Sequence, residues 1–253
     1  MGSFFVIIGV SKIYLMQLRP HQEKAIKAMS RHDKGQVIVP TGGGKTICMI
    51  EDAIEQFKSD RLKTIVVVAP RILLANQLCE EFLEFIDDVD VLHVHSGETH
   101  HDSTTKSQKI EEWHWKSKRN QLIFTTYHSL HKIQKASAML ADTVYFDEAH
   151  NAVQKNFIES VDYFSLPFNS LRCYFFTATP KHSRTPFKAG MNDSDIFGNV
   201  ICQVPAPKLV NQGYILPPKV KVYKTRILDK DELVADRDSE QMIDAIDLSL
   251  IHI

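Results

Sequence analysis

A succession of short apolar runs, each followed by an amphipathic stretch, restricts what this chain can fold into. The runs cover residues 36–39, 64–69, 91–95, 122–125, 144–146 and 173–177, and they are rich in Val, Ile, Phe and Tyr. Most are too continuous for strands with one wet face, which would alternate apolar and polar residues. They suit parallel strands covered on both sides. Between them lie stretches such as 72–85, with apolar residues at helical spacing and acidic residues on the other face. This alternation predicts an α/β domain with a mostly parallel central sheet flanked by helices.

Two segments break the rhythm. Residues 97–109 are polar and rich in Ser, Thr and His, which predicts a surface loop. From Pro205 the chain becomes proline-dense, through Pro207, Pro217 and Pro218, as a stiff connector would be. Residues 219–224 alternate basic and apolar side chains like a strand, and the acidic stretch 229–247 suits a helix. The expected organisation is an N-terminal extension at 1–15, an α/β domain at 16–204, and a linker with the start of another region at 205–253.

Bulk properties remove several function classes. With 253 residues, 43% hydrophobic and 24% charged, the chain can build one or two domains with a proper core. The formal net charge of -1 gives no global field for a polyanion, so any nucleic-acid surface must be a local patch. Cys48, Cys79, Cys173 and Cys202 lie far apart without a C-x-x-C pair, which suits thiols in a reducing compartment. The apolar run 4–10 is far shorter than the roughly 20 residues of a membrane span, and it lacks a basic flank and a cleavage site. It suits an extra edge strand or a loosely tied tail. Val6 occupies the place where myristoylation requires Ser or Thr. A cytoplasmic protein without a membrane partner is expected.

The sharpest chemical signal is Pro40-Thr41-Gly42-Gly43-Gly44-Lys45-Thr46, between the apolar run 36–39 and the helical stretch 47–57. Consecutive glycines let the backbone turn tightly enough for successive N–H groups to face a phosphate. The helix that follows offers its positive end to the same anion. Lys45 would reach the β- and γ-phosphates of a nucleotide, and the Thr46 hydroxyl would ligate magnesium. The strict form of this motif has Gly where the chain has Val39, so Pro40 is expected to shape the loop entry. The bland alternative is a glycine-rich turn that binds nothing.

A second signal, Asp147-Glu148-Ala149-His150, follows the buried run 144–146. Ligands of open parallel sheets bind beyond the carboxyl ends of the strands. The glycine loop and the acid pair both sit at such ends and can meet on one nucleotide. Asp147 would hold magnesium, directly or through water, and Glu148 would orient and help deprotonate the attacking water. An isolated acid pair at a strand end is as readily a pair of solvated loop charges or a helix cap; the glycine loop is what favours the catalytic reading.

Taken together, these residues resemble superfamily 2 helicases: Pro40 to Thr46 is similar to motif I, and Asp147-Glu148-Ala149-His150 to motif II in its DEAH spelling. Thr177-Ala178-Thr179-Pro180 resembles motif III. The segment Ala69-Pro70-Arg71 through Gln77 resembles motif Ia, and Thr125-Thr126-Tyr127-His128-Ser129-Leu130 resembles motif Ib. Leu18-Arg19-Pro20-His21-Gln22 matches the Leu-Arg-x-x-Gln opening, in which the resemblance assigns Gln22 to adenine. The match covers residues 16–218. The glycine loop and Gln212-Gly213-Tyr214-Ile215-Leu216-Pro217-Pro218 look most like the motors of type I and III restriction enzymes and phage-type DNA repair helicases. DEAH RNA helicases usually carry Ser-Ala-Thr as motif III, so Thr177 favours DNA over RNA.

The resemblance implies a RecA-like P-loop NTPase domain using ATP and Mg2+. Nucleotide contacts fall to Gln22, Thr41, Gly42, Gly43, Gly44, Lys45 and Thr46, and magnesium to Thr46 and Asp147. Catalysis falls to Lys45, Asp147 and Glu148, and coupling to His150, Thr177 and Thr179. Arg71, Thr125 and Thr126 would track a nucleic-acid backbone without reading sequence, although Arg71 could instead cap a helix or pair with an acid. The family's second RecA-like domain carries a Gln-x-x-Gly-Arg-x-x-Arg motif, which is not found here; that domain is expected to be absent or only begun, or to come from a partner subunit. Its arginines are worth about 10³ to 10⁵ in rate, so hydrolysis by this chain alone should be weak. The alternatives are a module that holds nucleotide and nucleic acid with little turnover, and a fragment of an RNA helicase.

Two further clusters have plainer expectations. Lys116, Lys118 and Arg119 beside Trp113 and Trp115 could suit a single strand, but a solvated helix face is the preferred reading. His93, His95, His100 and His101 lack a cysteine or acid partner at metal-ligand spacing.

Overall fold

The computed structural model of the chain describes residues 17–136, 141–185 and 188–217. The first compact unit runs to Pro205 and a second begins at Ala206. The segments 1–15, 219–224 and 229–247, for which a tail, a strand and a helix were expected, lie outside the described residues, whereas the first part of the expected linker, 205–217, is described.

In the first unit, strands β1 (Lys34–Ile38), β2 (Thr64–Ala69), β3 (Val89–Val94), β4 (Asp102–Ser103), β5 (Asn120–Thr126), β6 (Ala141–Phe146), β7 (Ser170–Thr177) and β8 (Val200–Gln203) form one sheet. Its order is β4-β3-β5-β2-β6-β7-β1-β8. Every adjacent pair is parallel. The helices are α1 (Pro20–Met29), α2 (Lys45–Phe57), α3 (Ile72–Leu83), α4 (Ser107–Lys116), α5 (Leu130–Gln134), α6 (Ile158–Ser165) and α7 (Ser194–Phe197). In the second unit, α8 covers Ala206–Asn211.

Burial on both faces explains the continuous apolar runs. Along β2 every residue is buried. Val66 and Val68 face the layer of α4 to α7, where Val144, Phe146, Cys173 and Phe175 share one core with Leu130, Phe157, Val161 and Phe197. Alternate residues such as Ile65, Val67, Tyr145, Tyr174 and Phe176 are equally buried and turn to the layer of α1, α2 and α3. Phe146 stacks on Phe175 with ring centroids 4.9 Å apart, which ties β6 to β7 through their side chains as well as their backbones.

Two expectations need correction. The stretch 97–109 is not one loop: it contains β4 and the first turn of α4. Only Ile110 of α4 is buried, with Trp113 packed beside it, so the helix carries too narrow an apolar stripe to be conspicuous. Strand β8 also escaped notice, because four residues on a sheet edge leave almost no pattern.

A buried polar network joins helix α2 to strands β6 and β7. Asp52 of α2 accepts from Tyr145 Oη at 2.6 Å, Gln56 Nε2 at 2.8 Å and an Arg172 guanidinium nitrogen at 2.9 Å. The residues holding the candidate site lie at the carboxyl ends of the strands.

Candidate nucleotide site

The strand order places three functional loops side by side. Neighbouring strands β6, β7 and β1 are followed respectively by the acid pair, by Thr177-Ala178-Thr179 and by the glycine loop. In a parallel sheet all three leave by the same edge. The loop is tied to its neighbour through Val39 N, which donates to Thr177 O at 3.0 Å. Asp147 N donates to Val68 O at 2.8 Å, fixing the start of the acidic turn on β2.

Gly42 and Gly44 adopt φ of 74° and 81°, backbone conformations that side chains rarely tolerate. A side chain at Gly44 would also collide with Gln22 Nε2. Gln22 therefore sits against the glycine loop; it is buried, and its Oε1 accepts from Arg19 N at 2.8 Å. One residue earlier, His21 Nε2 lies 2.7 Å from Gly43 O and holds the loop from the same helix start. The sequence singled out Gln22 and missed His21, whose role depends on a contact with a residue 22 positions away. Thr41 is exposed, and Thr46 is half-buried in the first turn of α2.

Lys45 Nζ is 3.1 Å from Glu148 Oε1, so the glycine loop and the acidic turn meet through opposite charges. Glu148 has φ of 43°, left-handed backbone that a non-glycine residue adopts at a cost of roughly 1–3 kcal/mol. Burial, and then the neighbouring Glu148, push the Asp147 carboxyl up to about 6, against the opposing pull of Lys45. A desolvated carboxyl beside a second one is a group that a divalent cation would neutralise. Together with the open-φ loop, this makes the residues suitable for a nucleotide phosphate and a magnesium ion; Thr46 and Asp147 are the ones that could hold the metal.

Beyond the acid pair, His150 Nδ1 is 3.1 Å from Thr177 Oγ1 and 3.4 Å from Glu148 Oε2. Asn151 Nδ2 donates to Glu148 O at 3.0 Å and also lies 3.3 Å from His150 Nε2. An amide nitrogen only donates, so Nε2 accepts and the imidazole proton sits on Nδ1. Burial favours neutral His150. Thr177 Oγ1 also accepts from Thr179 N at 3.2 Å, completing a path from the acid pair to the motif III segment. Asn151 was not anticipated; its place three residues after Glu148 was the available signal.

The residues expected to meet nucleic acid divide. Arg71 is exposed at the start of α3, and its side chain makes no cap bond. Thr126 is buried at the end of β5. Thr125 is fully buried, and its hydroxyl donates to Val94 O at 2.8 Å, inside the sheet. A threonine in a β5 run reads the same whether its hydroxyl faces solvent or a neighbouring strand. Tyr127 ties this segment to the site, its hydroxyl donating to Asp147 O at 2.9 Å. Arg119 lies beyond the end of α4 and pairs with Asp88 and Asp90, and Trp113 packs on the core.

A parallel sheet with a glycine loop, an acid pair and a threonine segment on adjacent strand ends is the N-terminal domain of the superfamily 2 helicase type. The family model described as "Type III restriction enzyme, res subunit" matches residues 15–182, well over half of the chain. The chain belongs to that family. Among solved structures, it is similar to the Type ISP restriction-modification enzyme LlaGI, whose nuclease-deletion mutant was solved with a DNA substrate mimic. That match has 21% identity and a TM-score of 0.62, covering 78% of this chain and 21% of that one. The ATP-dependent Type ISP restriction-modification enzyme LlaBIII, solved bound to DNA, matches at 22% identity and a TM-score of 0.63, covering 78% of this chain and 15% of that one. The Hef helicase domain of Pyrococcus furiosus matches at 18% identity and a TM-score of 0.51, covering 72% of this chain and 37% of that one. The chain thus spans about a fifth or less of the two restriction enzymes' length. No curated protein sequence matches it. Among the described residues, no helix is long and apolar enough to cross a membrane.

Proposed function

We propose that this chain is the ATP-binding and hydrolysing part of a DNA helicase or translocase, converting nucleotide state into a changed grip on DNA. The observation that carries the reading is the meeting of Lys45 and Glu148, 3.1 Å apart, at the edge where a glycine loop opens a helix. In this role Lys45 and the loop amides of 42–46 bind the β- and γ-phosphates, and Gln22 faces the adenine. Thr46 and Asp147 hold magnesium, which neutralises phosphate charge when bound. Glu148 orients a water and takes its proton. His150, Thr177 and Thr179 relay the state of Glu148 across β7. Arg71 and Thr126 hold a phosphate backbone regardless of sequence. LlaGI and LlaBIII were solved with a DNA substrate mimic and with DNA, which favours DNA as this chain's polymer too.

Phosphoryl transfer in this class rests on positioning and charge neutralisation, and arginines from a second RecA-like domain or subunit supply about 10³ to 10⁵ in rate. The proposal therefore gives this chain tight nucleotide binding and slow turnover. The testing measurement is the ATPase rate of the purified chain, alone and with single-stranded or duplex DNA. Nucleotide binding with slow turnover is the expected result. Failure to bind ATP would overturn the proposal, and brisk DNA-stimulated turnover would overturn the dependence on a second domain.

A further inference from the structure

A second cleft, of about 730 Å³, opens between α3 and the loop that follows β3. Leu73, Asn76 and Glu80 line it from one face of α3; His93, Gly97 and His101 line it from the other side. It adjoins the segments proposed to grip a strand. Leu73 is two residues from Arg71 and 77% exposed, and β3 pairs with β5, which ends at Thr126. Its volume lies within the roughly 300–1,000 Å³ of small-molecule sites.

Two buried polar atoms without a hydrogen-bond partner belong to residues of this cleft: His93 Nε2 and Asn76 Oδ1. Their hydrogen-bonding characters can be deduced. Gly97 N donates to His95 Nδ1 at 3.2 Å, so the proton of neutral His95 sits on Nε2. That Nε2 lies 2.9 Å from His93 Nδ1, which therefore accepts. The His93 proton is thereby placed on Nε2, an unpartnered donor on a side chain only 1% exposed. Burial, reinforced by His95 and His101, pushes His93 down to about 4, so the ring is neutral. Asn76 Nδ2 donates to Glu98 O at 3.0 Å, which fixes its amide and leaves Oδ1 as an unpartnered acceptor.

A ligand for this cleft must offer an acceptor to His93 and a donor to Asn76. Phosphate offers acceptors only, and the lining holds Glu80 and Glu98 but no Lys or Arg. A metal ion cannot bind a protonated nitrogen, and among the described residues no three His, Cys, Asp or Glu side chains are grouped to hold one. A nucleobase carries donors and acceptors along one edge. We infer that this cleft receives an unpaired nucleobase, hydrogen-bonded to His93 Nε2 and Asn76 Oδ1, from a strand held at Arg71 and Thr126. The inference rests on the nucleic-acid reading above.

The experiment compares a single-stranded oligothymidylate with an abasic sugar-phosphate strand of equal length, by anisotropy at fixed salt, on the full chain. The base-bearing strand is expected to bind roughly tenfold tighter, the scale of one held base. Asn76→Ala and His93→Gln should each remove that preference while leaving abasic-strand affinity unchanged. Because His93→Gln could disturb the core, the His93 Nε2–H resonance of wild-type protein is also followed; it should move with the oligothymidylate and stay put with the abasic strand. Equal affinity for the two strands, or a preference that survives in both variants, would overturn the base site and leave the strand-binding reading standing. Binding of neither strand would overturn both. A resonance that moves with free thymidine but with neither strand would keep the base chemistry and make a free nucleoside its source.

Discussion

The hydroxyl of Tyr127 donates to the backbone carbonyl of Asp147 across 2.9 Å, joining the segment after β5 to the acidic turn after β6. Tyr127 is buried, and burial with the nearby Asp147 and Glu148 charges raises its pKa, so it stays a donor. This bond links a proposed DNA-contacting segment directly to the backbone of a proposed magnesium ligand. Tyr127→Phe should cost about 1 kcal/mol of stability, the usual net worth of one hydrogen bond. It should also reduce DNA stimulation of the ATPase more than the basal rate. Equal stimulation in the variant and wild type would remove Tyr127 from the coupling route.

Lys45 and Glu148 share an ion pair but should fail differently. Lys45→Ala is expected to weaken ATP binding about 10- to 100-fold, from the roughly 1.5–3 kcal/mol of a charged hydrogen bond. Glu148→Gln should keep ATP affinity and lose about 10² to 10⁴ of turnover, the range for general-base catalysis. Calorimetric titration and single-turnover hydrolysis separate the two. Normal turnover by Glu148→Gln would sink its assignment as base.

Asp147 makes the site sensitive to pH. Its folded pKa, about 6, is above the ordinary 3.8, so the folded protein holds a proton there that the unfolded chain has released. The stability from this group is fully present below about 3.8 and is lost as pH rises through about 6. Asp147→Asn should therefore raise the melting temperature at pH 7 and make it depend less on pH between 5 and 7. Magnesium-dependent ATP binding by the wild type should weaken as pH falls below about 6, because proton and metal compete for the carboxylate. A pH-independent magnesium requirement over that interval would refute the assignment.

Asn151 holds His150 in one tautomer through its 3.3 Å contact with Nε2. Asn151→Ala should leave ATP affinity intact and lower turnover about 10- to 100-fold, as for other outer partners that orient a histidine. Unchanged turnover in Asn151→Ala would show that Thr177 alone orients the ring.

How much of this was legible in the sequence depended on the range of the contacts involved. The run 64–69 announced a strand because every one of its residues is buried, and Gly42 to Thr46 announced a phosphate loop because the chemistry lies in consecutive positions. His21, Tyr127 and Asn151 gave little sign of their roles. Each is an ordinary polar residue whose function arises only where it meets Gly43, Asp147 or His150 in the fold. Thr125 is the converse case: its motif position suggests a ligand contact, while its bond to Val94 O could be read only from the fold. Helix α4 was hidden by polar residues surrounding a single buried isoleucine.

The network around Asp52 should govern folding rather than chemistry. Asp52→Ala leaves the Arg172 guanidinium, 20% exposed, without its carboxylate, and breaking a buried pair in this way costs about 3–5 kcal/mol. Thermal denaturation should show the loss, while ATP affinity measured well below the new transition should stay close to that of the wild type. A selective loss of ATP affinity would mean that the network communicates with the nucleotide site.

The uniform direction of the strands gives each residue's position along its strand a meaning for what a substitution there would change. The loops of the candidate site all leave by the carboxyl edge, whereas the Asp52 bonds to Tyr145 and Arg172 lie between helix and sheet. A substitution within a strand therefore bears first on the fold, and one just past a carboxyl end bears first on the candidate site.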